Sequence, residues 1–402
     1  MSSPAASQES SARRVATDRP RAAGRGSPLV LAVLAMAAAA AFVGARLHSA
    51  AHGDIARFVV PGSHYSHAGQ TPSVLPTAHG AGYDGQFYFR LALDPFDFHR
   101  TAFGITVDHA YRFQRITFSL IVWLVTGGGT TDLVPWAMVL VNIALLGVLA
   151  WCGGDLARRF GRHAAWGVIL VAYPGFFYTL ARDTTEIAEG AFLALAMVAS
   201  TRRRPMAMGL ALAAAVLSRE SSLFVVLAVG LVSVADMLRR RRFLRRSDLA
   251  WIIPGCIYVG WQLLVYSKSG TLPATSAGGN FGAPFVGISQ HAGSWFRQSH
   301  TLVGVLQIVE TVQWVAVVVL LLVAIRTSRA PGWVRLAAVL LLVLTLCLAG
   351  PNWVGYTNYR NLSTFYVVAA AVILGSRVRL EILAASLVGV CAVAAVSRVT
   401  RI

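Results

Sequence analysis

The sequence predicts an all-α polytopic membrane protein of about eleven transmembrane helices, with a large first extracytoplasmic loop that carries membrane-lying helices. Three observations lead there. Of 402 residues, 56% are hydrophobic and only 13% charged, against roughly a quarter charged in soluble domains. The apolar residues form runs of about 20, the length that crosses a bilayer. Short arginine clusters separate the runs on alternate sides.

Residues 1–27 are rich in Ser, Ala and Arg without apolar periodicity, and read as a disordered cytoplasmic tail. Everything from 28 to 402 belongs to one transmembrane domain. Its first span, 28–47, has an Ala-rich core like a signal peptide, but its length and the ten runs behind it predict a retained signal-anchor. A long loop, 48–131, follows. Further runs lie at 132–151, 163–180, 185–200, 206–218, 221–238, 249–267, 302–325, 334–350, 361–376 and 379–397. The run at 206–218 is short, so 206–238 reads either as two spans or as one span plus a re-entrant piece. The run 116–125 is too short to cross and is expected to lie on the membrane. A second outer loop, 268–301, is rich in Gly, Ser and Thr and is expected to cover a site.

The net charge of +18 would suit nucleic acid if the basic residues were clustered on a polar surface. They sit instead between apolar runs, which excludes that partner and leaves membrane lipids. With the N-terminus in the cytoplasm, inside segments hold 22 of the 35 basic residues, while 11 of the 17 acids fall outside. The basic excess sets the plasma-membrane orientation. Acids carry little weight in that rule, so their outward bias points to chemistry on the extracytoplasmic face. Cys152, Cys256, Cys347 and Cys391 all lie in apolar runs, without zinc spacing. His64 and His67 have no third ligand, so the spacing supports no metal, and no cofactor is expected.

In the first loop, Gly82-Tyr83-Asp84-Gly85-Gln86-Phe87-Tyr88-Phe89-Arg90 precedes a stop at Pro95. This places Asp84 at a helix N-terminus, where its charge is stabilised; it serves there either as a simple cap or as a reactive carboxylate. Phe87 and Leu91 share a face expected to rest on lipid, with Tyr88 and Arg90 turned toward substrate or headgroups. Arg112 and Arg115 flank the 116–125 helix and suit a bidentate grip on phosphate, or snorkelling to headgroups. Arg182 with Glu186, and Arg219 with Glu220, recur at outer span ends, where each pair is either structural or functional. Glu310 in the eighth outer span end and Arg360 near the last complete this set.

On YDGQFYFRLALDP, YRFQRI, the Arg219-Glu220 step and Arg360, the chain resembles the GT-C superfamily of polyprenyl-phosphate-dependent glycosyltransferases. Within it the chain looks similar to bacterial members that build cell-surface glycopolymers or lipopolysaccharide core. Such families carry a pair of acids followed by aromatics at the start of the first loop helix. Asp84 matches the first acid and Tyr88-Phe89 the aromatics, while Gly85 stands where the second acid would be; Asp54 is the competing leading acid. The resemblance implies a GT-C-like fold and transfer, with inversion, from a polyprenyl-phosphate-linked sugar to a cell-envelope glycan or lipid acceptor. Asp84 would be the general base. Arg112, Arg115, Arg219 and Arg360 would stabilise the departing lipid phosphate, with Tyr83, Gln86, Tyr88, Arg90, Arg182, Glu186, Glu220 and Glu310 around the substrate. The alternative is a transporter or flippase of a lipid-linked sugar, which predicts internal repeats and a midplane site.

Overall fold

The computed structural model describes residues 25–275, 280–297, 301–353, 356–378 and 380–400. Nearly all of the expected tail 1–27, and positions 276–279 and 298–300 of the expected second loop, lie outside the described residues. The chain is helical: α1 (Pro28–Ser49), α2 (Gly85–Leu93), α3 (Thr117–Val125), α4 (Val134–Arg159), α5 (Val168–Val171), α6 (Pro174–Leu180), α7 (Glu186–Thr201) and α8 (Pro205–Val216). Then come α9 (Leu223–Arg240), α10 (Leu249–Ser269), α11 (Val286–Arg297), α12 (Leu302–Ala324), α13 (Gly332–Leu346), α14 (Ser363–Leu374) and α15 (Glu381–Thr400).

Five described helices, or helices with their adjoining turns, are long and apolar enough to cross a membrane: 28–49, 134–159, 220–240, 246–269 and 304–324. The segments 205–216, 332–346, 359–374 and 386–399 are apolar but shorter. Burial sorts them. In α4, 72% of the apolar window is buried, against 22% in α1 and in the α10 segment. So α4 is a central post, and the other two turn most of their surface outward, as lipid-facing helices do.

All twelve residues of α14 are buried, as are most of α7. At a rise of 1.5 Å per residue, α14 is only about 18 Å long, well short of the ~30 Å hydrocarbon core. Both helices pack on each other in the middle of the bundle, and their short length leaves room at one end for polar groups.

The run 163–180 is not a continuous span. It is a 3-10 turn at Ala164–Gly167, then α5, then α6. Tyr173 precedes Pro174 and is extended (φ −112°, ψ 123°), because the proline ring disfavours the helical region for its predecessor. Its apolar composition reflects burial against protein, where irregular backbone is tolerated. The run 206–238 forms two helices, α8 and α9, parted by the Glu220–Ser222 turn.

The basic connections meet at one end of the bundle. Arg162 donates to the carbonyls of Ser376 (2.6 Å) and Val378 (3.0 Å), Arg329 to that of Phe160 (2.7 Å), and the amide of Ala164 to Arg25 (2.8 Å). The acid-bearing segments gather at the opposite end, where Arg46 of α1 also reaches the Arg398 carbonyl at 2.7 Å.

The first loop and α3 fold into a layer around an apolar core that includes Phe87, Phe89, Leu91, Phe98, Ile105, Phe113 and Phe118 and is shared with Val134, Met138 and Val141 of α4. This corrects the lipid-facing expectation for Phe87 and Leu91. Every residue of α2 is buried, because the rest of the loop and α3 close over it. Tyr88 and Arg90 are buried too: the Arg90 guanidinium lies over the Phe113 ring (5.3 Å) and donates to the His99 carbonyl. α3 docks by Thr117, whose Oγ1 donates to the Ala214 carbonyl at 2.9 Å, and Trp261 of α10 donates to the Phe113 carbonyl at 2.9 Å.

Candidate functional site

The Tyr83-Asp84 step is fixed from below by backbone contact. Gly82 has φ +64°, and a Cβ there would lie 2.4 Å from the Gly62 nitrogen. A Cβ on Gly85 would lie 2.5 Å from the Arg182 carbonyl oxygen and 2.6 Å from that of Val59. No side chain fits position 85 without a shift of backbone, so a second acid beside Asp84 has no room in this chain. Gln86 ties the step down, accepting from the Gly62 amide (3.1 Å) and donating to the Ala81 carbonyl (2.9 Å).

Asp84 occupies the N-cap position of α2, but its side chain makes no capping hydrogen bond. Its carboxylate goes to two arginines instead. Arg112 Nη1 lies 3.0 Å from Oδ1 and Arg360 Nη2 2.8 Å from Oδ2. Burial alone would raise the pKa of Asp84, but the guanidinia of Arg112, Arg360 and Arg115 outweigh it and hold the carboxyl well below the usual range.

Each arginine is fixed in turn. Arg112 makes two 2.8 Å hydrogen bonds to Asp108, a carboxylate that sequence reasoning passed over. Arg360 donates to Tyr83 Oη at 2.8 Å and to Glu186. Arg219 donates to the same Glu186 oxygen at 2.5 Å and to Asn361 at 3.2 Å. Arg115 holds Glu220 by Nε (2.9 Å) and Nη2 (2.5 Å). Tyr83 lies under two guanidinia, with Arg182 at 4.0 Å and Arg360 at 4.9 Å from its ring centroid.

The ion pairs suggested by sequence proximity are therefore exchanged. Arg182 and Glu186 belong to different elements, so their spacing of four is not a helical one. Adjacent Arg219 and Glu220 diverge, as neighbours on a turn do, and each finds a partner from elsewhere in the chain.

These groups surround one cavity of about 460 Å³. Tyr83, Asp84, Arg112, Arg115, Arg219, Glu220 and Arg360 line its polar end. Leu223, Phe224, Phe281, Leu341, Leu344, Leu348 and Phe365 line an apolar limb. The wall thus presents four guanidinia against two carboxylates, while Asp108 and Glu186 brace the arginines from behind. The N-terminal ends of α2, α7, α9 and α14 meet around it, adding positive ends of helix dipoles. An anion with an apolar tail fits this distribution of charge.

Several expected site residues lie apart from the cavity wall. Asp54 caps the Ile55–Phe58 turn, accepting from the Ala56 amide at 3.0 Å. Arg90 and Gln86 brace the first loop, and Tyr88 is buried behind Arg115 (3.4 Å). Arg182 reaches the site only through the Tyr83 ring. Glu310 is buried on α12, where it accepts from Tyr178. His64 and His67 are exposed, the latter 2.9 Å from Thr106 Oγ1. Among the described residues no group of three or more His, Cys, Asp or Glu side chains is placed to hold a metal.

Four hydroxyls around Glu189 (Ser221, Ser222, Ser363 and Thr364) also escaped sequence reasoning. A signal for them exists: Arg219-Glu220-Ser221-Ser222-Leu223-Phe224 and Arg360-Asn361-Leu362-Ser363-Thr364-Phe365 each run from arginine through a hydroxyl pair to phenylalanine. No family model, curated protein or solved structure matches the chain.

Proposed function

We propose that this protein is a membrane glycosyltransferase that moves a sugar from a polyprenyl-phosphate donor to a cell-envelope glycan or lipid acceptor on the extracytoplasmic face. The observation that carries the reading is the single cavity that joins an arginine-rich end holding Asp84 to an apolar limb. A lipid phosphate needs both halves: guanidinia for the phosphate oxygens and an apolar wall for the first isoprene units.

In this reading the donor phosphate competes with Asp84 for Arg112 and Arg360. As it draws them away, Asp84 regains basicity and takes the proton of the acceptor hydroxyl. The acceptor oxygen bonds to the anomeric carbon with inversion, and the bond to the phosphate oxygen breaks with its electrons left on phosphate. Arg112, Arg115, Arg219 and Arg360 stabilise the resulting dianion. In this reading the N-terminus is cytoplasmic and the chain crosses eleven times, with the broken segment 164–180 counted as one, so that the basic end of the bundle is taken as the inside and the cavity as the outside.

The test is purified protein in lipid nanodiscs or vesicles with labelled polyprenyl-phosphate sugars, scoring sugar transfer and release of lipid phosphate. Transfer with stoichiometric release supports the proposal. Movement of the intact lipid-linked sugar across the bilayer without transfer replaces it with the flippase reading.

A further inference from the structure

Behind the cavity wall, Glu189 of α7 is fully buried, with four hydroxyls within hydrogen-bond distance of its carboxylate. Ser221 (3.0 Å), Ser222 (2.8 Å) and Thr364 (2.6 Å) reach Oε1, and Ser363 (2.9 Å) reaches Oε2. Among the described residues its ion-pair partner is Arg219, whose Nε stands off at 3.8 Å, and Glu186 lies one turn earlier on the same helix. This carboxylate therefore has no close ion pair of the kind that occupies Asp84.

An ionised carboxylate can only accept, and each hydroxyl has one proton to give. The arrangement turns the hydroxyl protons inward. Two of the four, Ser221 and Thr364, also line the cavity. Their oxygens are 2.6 Å apart, so whichever donates to the other, both protons stay within the cluster. What they offer the cavity is lone pairs. The arginines on the same wall offer only N–H donors. A pair of acceptor oxygens beside a guanidinium cluster matches a ligand that carries an anionic group and, close to it, a hydroxyl.

We infer that Ser221 and Thr364 form a subsite for a sugar hydroxyl, oriented by Glu189 as a positioning residue, beside the arginines that hold the lipid phosphate. The inference rests on reading the cavity as a lipid-phosphate-sugar site, and adds to it the polarity by which the sugar is recognised. The hydroxyl belongs either to the sugar being transferred or to the sugar that receives it, and the two sources give different results.

The experiment compares wild type, Ser221→Ala with Thr364→Val, and Glu189→Met, each first checked for a monodisperse peak in detergent. Binding in nanodiscs is measured for bare decaprenyl phosphate and for the tightest-binding member of a panel of decaprenyl-phosphoryl arabinose, mannose, glucose and galactose. KM is measured for octyl glycoside acceptors at saturating donor. Both variants are expected to bind bare decaprenyl phosphate as wild type does. They should lose roughly five- to tenfold in affinity for the sugar-bearing donor, or in acceptor KM, as fits one or two lost hydrogen bonds. Loss in the donor arm assigns the pair to the transferred sugar; loss in the acceptor arm assigns it to the receiving one. In Glu189→Met the side chain keeps about its volume but no longer accepts the hydroxyl protons, which leaves Ser221 and Thr364 free to turn a proton toward the cavity and so changes the polarity of the subsite. Unchanged values in both arms, or an equal loss for bare decaprenyl phosphate, overturn the subsite. Wild-type protein that binds decaprenyl phosphate no better than decaprenol removes the underlying lipid-phosphate reading, whatever the variants do.

Discussion

Replacing Asp84 by Asn separates the chemistry of the site from its architecture. The carboxylate carries ion pairs at 3.0 and 2.8 Å with Arg112 and Arg360, and its side chain is 18% exposed. Removing its charge leaves neither arginine orphaned. Arg112 keeps both hydrogen bonds to Asp108, and Arg360 keeps Tyr83 and Glu186. Asn also retains one acceptor oxygen. One charge-assisted hydrogen bond, from Arg360 and worth about 1.5–3 kcal/mol, and one ion pair, with Arg112, are thus exchanged for weaker contacts, and the net loss of stability should be about 1–3 kcal/mol. Loss of a general base costs about 10²- to 10⁴-fold in rate. The contrast is Glu186→Gln. Glu186 is fully buried and shares one oxygen between Arg219 and Arg360, so the change weakens the anchor of two buried cations. The expected cost is about 3–5 kcal/mol. Thermal melts in nanodiscs, read beside transfer from a polyprenyl-phosphate sugar, should show Asp84→Asn folded and inactive and Glu186→Gln clearly destabilised. Wild-type transfer by Asp84→Asn refutes the general-base assignment. A melting loss in Asp84→Asn larger than in Glu186→Gln refutes the ranking drawn from the ion-pair network.

Gly85→Ala should cost about 1–3 kcal/mol by overpacking and abolish transfer, and Gly85→Asp should not restore a second working acid; near-wild-type melting of either would contradict the contacts with Arg182 and Val59. For pH, the depressed pKa of Asp84 means its ionic contribution to stability is full above the unfolded value of about 3.9 and is lost only as pH falls through the lower folded value. If the proposed transfer holds, the ligand-free protein should therefore show no acid limb in kcat/KM from Asp84 between pH 5 and 8 (roughly the usual assay range). If donor phosphate takes over its arginines, the acid limb of kcat should lie at higher pH than that of kcat/KM; coincident limbs would count against that competition. A cysteine placed at exposed Ser63 should react with a membrane-impermeant thiol reagent added outside intact cells, while one at exposed Ser247 should not; the reverse pattern would invert the assigned orientation.

Much of the helical plan was legible because lipid-facing and protein-buried helices are both apolar, and hydropathy registers either. For the same reason it could not tell them apart. The run 163–180 has the length and hydropathy of a span, yet it breaks at Ala172–Tyr173 ahead of Pro174, and only its burial shows why a broken backbone is tolerated there. The ends of α7 and α14 were blurred likewise: hydropathy continues into the turns, although the helices themselves stop short. Within the site, the residue types were readable and the pairings were not. Arg182–Glu186 and Arg219–Glu220 are neighbours in sequence, but a turn separates the first two and directs the second two apart. Asp108 was invisible as a brace because nothing in its spacing announces a bidentate partner four residues on. Phe87 and Leu91 were assigned to lipid because an amphipathic face says that it is covered without saying by what.

The shortness of the central helices and the exchange of ion-pair partners have one physical origin. A full-length apolar helix would carry hydrocarbon side chains through the level where Arg219, Arg360, Glu186 and Glu189 now lie, and charges there would be uncompensated. Starting α7 at Glu186 and α14 at Ser363 instead brings helix N-termini to that level, whose free amides and dipoles favour carboxylates. The carboxylates then hold arginines from other segments, and those arginines reach forward to Asp84 and the cavity. Each cation is thus anchored by a carboxylate behind it and offers its remaining donors to an anion in front. The apolar limb begins at the same helix ends, since Leu223, Phe224 and Phe365 follow the hydroxyl pairs directly in sequence. A phosphate seated among the arginines would therefore have an apolar chain continue along α9, α13 and α14 toward the membrane interior.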